Sequence, residues 1–195
     1  MPRLPACAAS PLPRAVRLVD SRRSNPLYRS AMTITPDPVG PGQESVWAFP
    51  RPSIAQPSAR HLRIEHRGCV VAETRRAIRT IETSHPPTYY FPPEDVDAVV
   101  TRSPRGGSFC EWKGSAVYFD VTIGGTTMHE AGWSYTTPTA AFAAIADYVA
   151  FYAAAFDGCF VDGERVRPQP GAFYGGWITS DLAGPFKGVP GSQFW

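Results

Sequence analysis

A mainly β protein of the α+β type, built as a compact antiparallel sheet domain with one amphipathic helix between irregular terminal segments, is predicted by three patterns in this 195-residue sequence. Apolar and polar residues alternate with a period of two at Leu62, Ile64 and His66 against Arg63, Glu65 and Arg67, and again from Ser115 to Thr122. That alternation is the signature of half-buried strands, whose side chains point to opposite faces in turn. The Gly124-Gly125 pair closes a hairpin where the backbone needs positive φ. Phe142, Ile145, Val149 and Tyr152 then recur at the spacing of one helical face.

Residues 1 to 31 carry six arginines and one aspartate. Removing that net +5 from the total of +2 leaves a net of −3 on residues 32 to 195. The basic pI is thus a property of the leader, and the mildly acidic remainder disfavours nucleic acid as a partner. The leader is read as disordered, and as untranslated if Met32 is the true start; a phosphate-touching arm and an Arg-rich transit-like segment are the alternatives. Residues 33 to 59 read as a linker with one apolar island, Val46-Trp47-Ala48-Phe49, that docks on the domain.

The domain is placed at residues 60 to 167. Its first strand is answered across Gly68 by Cys69 to Ala72, and residues 75 to 82 lean to strand because of their β-branched residues. His85-Pro86-Pro87 is extended, since each proline restrains its predecessor, and Tyr89-Tyr90-Phe91 forms a short aromatic strand. Ala98 to Thr101 is a further strand, and Arg102 to Gly107 a polar loop. The two antiparallel strands flanking Gly124-Gly125 follow. Thr137-Pro138 reads as an N-cap and first turn for the helix at 138 to 155, Asp157-Gly158 as its end, and Cys159-Phe160-Val161 as a last strand. Residues 168 to 195, rich in Gly, Pro and aromatics without a period, read as a tail packed on the domain.

No stretch reaches the roughly 18 apolar residues of a membrane helix, so a cytoplasmic protein without a membrane partner is expected. Cys7, Cys69, Cys110 and Cys159 are scattered and form no Cys-x-x-Cys pair, so neither a disulfide framework, a metal site nor a cofactor is expected. The oligomeric state is left open.

Three groups of residues carry candidate chemistry. Cys110 with Lys113 pairs a thiol with an ammonium that favours thiolate, against the plainer reading of a small filler beside a solvated turn lysine. Glu82 and His85, near Tyr90, offer acid-base groups, or a carboxylate holding backbone donors. Trp112, Tyr118, Trp133 and Tyr135 lie on or beside the paired strands and, with Tyr90, form either ligand-binding walls or ordinary core. Asp95-Val96-Asp97 is a weak metal-carboxylate pattern, because no glycine-rich loop opens a helix before it.

The stretch from Glu82 to Val96, then Cys110-Glu111-Trp112-Lys113-Gly114-Ser115-Ala116, Ala131-Gly132-Trp133-Ser134-Tyr135 and Tyr148-Val149-Ala150-Phe151-Tyr152 resemble the successive motifs of the bacterial domain of unknown function 427 family. The tail around Gly175-Gly176-Trp177 and Gly184-Pro185-Phe186-Lys187-Gly188 resembles an actinobacterial extension of it. The resemblance implies a β-tent fold, shared with methionine sulfoxide reductase B and cereblon-type ligand-binding domains. Those relatives hold zinc between Cys-x-x-Cys knuckles, which are missing here. The family also carries a nucleotidyltransferase-like label. The expected function is a cytoplasmic domain binding a small, neutral or heterocyclic molecule in an aromatic-lined cleft. The alternatives are an enzyme using Cys110 or Glu82/His85 in thiol, hydrolytic or nucleotidyl-transfer chemistry, and a protein-interaction module.

Overall fold

The computed structural model describes residues 34–195. The expectations for the basic leader, Cys7 and Met32 lie outside the described residues. Among the described residues fifteen strands run in chain order. β1 (Glu44–Ser45), β2 (Ile54–Ser58), β3 (Leu62–His66), β4 (Cys69–Thr74), β5 (Ala77–Glu82) and β6 (His85–Phe91) come first. Then follow β7 (Val99–Cys110), β8 (Gly114–Ile123), β9 (Thr126–Ser134), β10 (Val149–Phe151), β11 (Gly158–Val161), β12 (Glu164–Arg165), β13 (Arg167–Pro168), β14 (Trp177–Ile178) and β15 (Leu182–Ala183). A seven-stranded antiparallel sheet has the order β2-β5-β6-β10-β9-β8-β7, and a four-stranded one the order β12-β11-β3-β4.

Two of the hairpins are set by two-residue turns with positive φ at both positions: Arg67 and Gly68 between β3 and β4, and Gly124 and Gly125 between β8 and β9. Such turns carry the same twist as the strands they join. The alternating positions then sort themselves. Leu62, Ile64, Val71 and Val161 of the smaller sheet pack with Tyr89, Phe91, Val149 and Phe151 of the larger one to form the main core. Tyr90 and Ala150, one residue out of step, belong to a second cluster with Ile78, Trp133, Tyr135, Phe142 and Ile145.

The mainly β class and the two predicted hairpins are found, and residues 77–82 are strand as expected. The helix expected over residues 138 to 155 is present only as two short 3-10 helices, Ala140–Ile145 and Ala153–Ala155, with a strand between them. The capping residue of the first is Thr139 rather than Thr137, and the Thr139 hydroxyl donates to the Trp112 carbonyl at 2.6 Å. Asp147 takes φ 63°, and Val149–Phe151 continue as β10, paired with β6 on one side and β9 on the other. Phe142 and Ile145 are buried as a helical face would bury them, but pairing on both edges outweighs the high helix propensity of the alanines that follow.

The loop expected at residues 102 to 107 lies within β7. It forms a bulge, with residues 103 to 106 standing opposite the single residue Tyr118 between the Arg102↔Phe119 and Gly107↔Val117 pairs. Within the segment read as linker, β2 is an edge strand of the large sheet, and the apolar island docks, with Val46 and Phe49 buried against Ile81 and Leu182. The tail contributes Trp177, which is fully buried in the main core.

Candidate functional site

The face of the large sheet that turns away from the small sheet is built by one register row. Ile78, Tyr90, Ala150, Trp133 and Tyr118 are successive cross-strand partners on β5, β6, β10, β9 and β8. Cross-strand partners share a face, so one residue from each of five strands sums to an apolar floor. Ala150 at its centre leaves room that a larger residue would fill. Trp133 is clamped by Tyr152 (ring centroids 4.5 Å apart) and by Tyr90 in an edge-on contact at 6.3 Å.

A cavity of about 430 Å³ stands on this floor. All nine residues singled out from the sequence line it: Glu82, His85, Tyr90, Cys110, Trp112, Lys113, Tyr118, Trp133 and Tyr135. The β5–β6 turn supplies Glu82 and His85, the β7–β8 turn supplies Cys110, Trp112 and Lys113, and the floor supplies the rest. The sequence did not point to Arg51, Tyr152, Gln169, Phe173, Tyr174 or Lys187, which also line it. Residues 173 to 175 close one side, with Gly175 seated so tightly on Trp133 that a Cβ there would stand 2.1 Å from Cη2 of the indole. The same segment, with Tyr118, Tyr152 and Gln169, borders a neighbouring cavity of about 500 Å³ that contains His129 and Glu130.

The polar groups have definite partners. Glu82 accepts a hydrogen bond from Trp112 Nε1 at 3.2 Å and lies 3.9 Å from Arg51 Nε, so one of its duties is to hold the rim indole. Lys113 Nζ sits 5.5 Å from the centroid of the Phe142 ring, and Lys187 Nζ lies 5.8 Å from that of Tyr174 while donating to the Trp195 carbonyl oxygen. Tyr90 is fully buried, and among the described residues its hydroxyl has no partner in hydrogen-bonding geometry, although the Trp133 and Thr80 side chains stand close to it. Burial raises the phenols of Tyr90, Tyr135 and Tyr152 above their ordinary range, so all three are neutral.

Cys110 is a free, half-buried thiol at the end of β7, cross-strand to Gly114. Among the described residues no histidine bonds to it: His85 is bonded to Gln169, and His129 to Asp120. A thiol-histidine pair is therefore not assembled. Asp95 is held by Arg76 and Thr74 and lines neither cavity, and no group of three His, Cys, Asp or Glu side chains that could hold a metal occurs among the described residues. None of the helices among the described residues is long and apolar enough to cross a membrane.

His85 is the one histidine among the described residues that lines this cavity, and it is strongly perturbed. Burial, reinforced by Lys187, Lys113 and Arg51, pushes its pKa down from 6.5 to about 3. Between about pH 6.5 and 3 the unfolded chain therefore binds a proton that the folded chain refuses. The stability tied to this group is complete above pH 6.5 and falls on acidification by at most about 1.4 kcal/mol per pH unit. His85→Asn should flatten that slope, read as denaturant midpoints of both proteins near pH 7 and near pH 5. Equal pH dependence in the two would show that His85 is not protected from protons.

A protein-family model described as a domain of unknown function (DUF427) matches residues 54–162, more than half of the chain. No curated protein matches it.

Proposed function

The chain belongs to the DUF427 family, and from the geometry of its cleft we propose that it is a cytoplasmic domain that binds a small molecule with a flat apolar part. The observation that carries this reading is the aromatic floor, with Tyr90, Trp133 and Tyr118 of the register row lining a cavity into which a few polar groups converge. Concave, mostly apolar walls with few oriented polar groups are the usual make-up of small-molecule sites, and rigid aromatic rings give contact area at little entropic cost. Three free cysteines among the described residues agree with a reducing compartment.

Tyr90 supplies the test. A buried hydroxyl without a partner costs stability, so its retention in the floor makes sense when a ligand completes its bonding. Tyr90→Phe is expected to leave the unliganded melting temperature unchanged or slightly higher. A metabolite screen by thermal shift should find a ligand that raises the melting temperature of the wild type, and raises that of Tyr90→Phe less. A screen in which no small molecule stabilises the wild type would count against the proposal. So would a Tyr90→Phe variant destabilised by more than about 1 kcal/mol, because the hydroxyl would then serve the fold.

An enzyme acting through Cys110 has less support, since the residues that would activate the thiol are engaged elsewhere.

A further inference from the structure

We propose that the cleft selects a ligand bearing an anionic oxygen group, a carboxylate or a phosphate, and that His85, fixed by Gln169 as a neutral Nε2–H donor, is the group that meets it. This rests on the small-molecule reading above and adds the chemical class of the ligand.

Gln169 is the key to the tautomer. Its Oε1 accepts from the Gly176 backbone N–H at 3.0 Å, which fixes which end of the amide is oxygen. Its Nε2 then donates both to the Lys187 carbonyl at 2.9 Å and to His85 Nδ1 at 3.1 Å. An amide nitrogen only donates, so Nδ1 must be the unprotonated acceptor and the ring proton must sit on Nε2. Gln169 has no remaining freedom to reverse this, because a flip would set its oxygen against the Lys187 carbonyl and its nitrogen against the Gly176 N–H. His85 lines the cavity, and Nε2 has no hydrogen-bond partner among the described residues. A neutral imidazole held this way offers a proton and accepts none. It is suited to an acceptor oxygen, and it is unsuited to act as a general base through either nitrogen.

The charges around the ring set the sign of that oxygen. Arg51, Lys113 and Lys187 line the cavity against the two carboxylates of Glu82 and Glu111, so the surplus is positive. Glu111 is exposed and Glu82 accepts from Trp112 beside Arg51, so the two offset the cations only in part. The Trp195 main-chain oxygen accepts from both Lys187 Nζ and Arg51, which leaves Lys113, among the described residues, as the cavity cation with no oxygen partner. Burial first, and then the same three cations, disfavour a proton on the ring. An anion placed against Nε2–H relieves their mutual repulsion and receives a charge-assisted hydrogen bond. A neutral ligand does neither. Where the sequence alone suggests a small neutral or heterocyclic molecule, the proposed ligand is an aromatic or flat apolar acid.

Three probes of similar size separate the outcomes: phenylacetate, phenyl phosphate and the neutral phenylacetamide, titrated into ¹⁵N-labelled full-length protein with the histidine ring and tryptophan indole signals observed. The wild-type His85 ring should show the Nε2–H tautomer near neutral pH. At least one anion should bind tenfold or more tightly than phenylacetamide and shift the His85 Nε2 signal, and the tighter of the two identifies the acid as carboxylate or phosphate. His85→Asn keeps an acceptor near the place of Nδ1 and lacks the distal donor. It should lose most of the anion's advantage while phenylacetamide binding changes little. Equal binding of all three probes with shifted Trp133 signals would overturn the anion selectivity and leave the small-molecule reading standing. Binding of none would overturn both. A proton found on Nδ1 would overturn the role given to Gln169.

Discussion

Trp177→Ala should lower the melting temperature by roughly 10 °C or more, the largest effect expected of any single substitution in this chain. Its indole is fully buried in the main core, against Tyr89 and Phe91 at centroid distances of 5.6 and 5.9 Å. Its Nε1 donates to the Phe151 carbonyl at 3.1 Å. Truncating a buried Trp to Ala removes that contact area and leaves a cavity, at a cost of about 3–5 kcal/mol, a large part of the 5–15 kcal/mol by which a domain is usually stable. Trp177→Phe separates the contributions: it keeps an apolar ring but leaves the β10 carbonyl unpaired, so its cost should fall near 1–3 kcal/mol. Denaturant unfolding of the three proteins reads both values. The result bears on where the folded unit ends, because the family match stops at residue 162 while this core residue lies fifteen positions beyond it. Only a small loss from Trp177→Ala would mean that the two sheets close their core without the tail.

What the sequence made legible depended on the range of the signal. Arg67-Gly68 and Gly124-Gly125 act within two residues, and their hairpins were readable. Tyr118 and Trp133 are near in sequence and belong to that second hairpin, so their common face followed from parity. β10 was not readable. Val149 and Tyr152 continue the spacing of Phe142 and Ile145, and nothing local reports that β6 and β9 stand apart with a strand-wide gap between them. The candidate site divides in the same way. Glu82, His85, Cys110 and Lys113 were found because chemistry-bearing residues cluster in short turns. Gln169 and Lys187, which govern the ring of His85 from 84 and 102 positions away, carry no local mark of that role. The tail, residues 168 to 195, was readable as packing on the domain, but the contact of its Gly175 with Trp133 depends on the fold.

That contact yields the second large prediction: Gly175→Ala should cost at least tenfold in affinity for whichever ligand the cleft takes, with a smaller loss of stability than Trp177→Ala causes. The backbone at Gly175 is not among the positive-φ positions, so an alanine is not strained by its own conformation. The conflict is purely one of space, since the added Cβ would lie 2.1 Å from Cη2 and 2.7 Å from Cζ3 of Trp133. The indole has no room to retreat, because Tyr152 lies on one side and Tyr90 meets it on another. The segment at 173 to 175 must therefore lift away. Overpacking of this kind costs about 1–3 kcal/mol. Lifting it also breaks the Tyr152 hydroxyl's bond to the Phe173 carbonyl and joins the cavity to its neighbour, across the residues the two share. Water then reaches the floor, and every polar contact made there weakens as the surroundings become more polarisable. Acrylamide quenching of tryptophan fluorescence should rise in the variant, while Ala172→Ser, at an exposed neighbour, should change neither quenching nor affinity. If Gly175→Ala bound ligand as tightly as the wild type despite a more exposed Trp133, the tail would be a structural strap and the ligand would be held by the sheet and its turns alone.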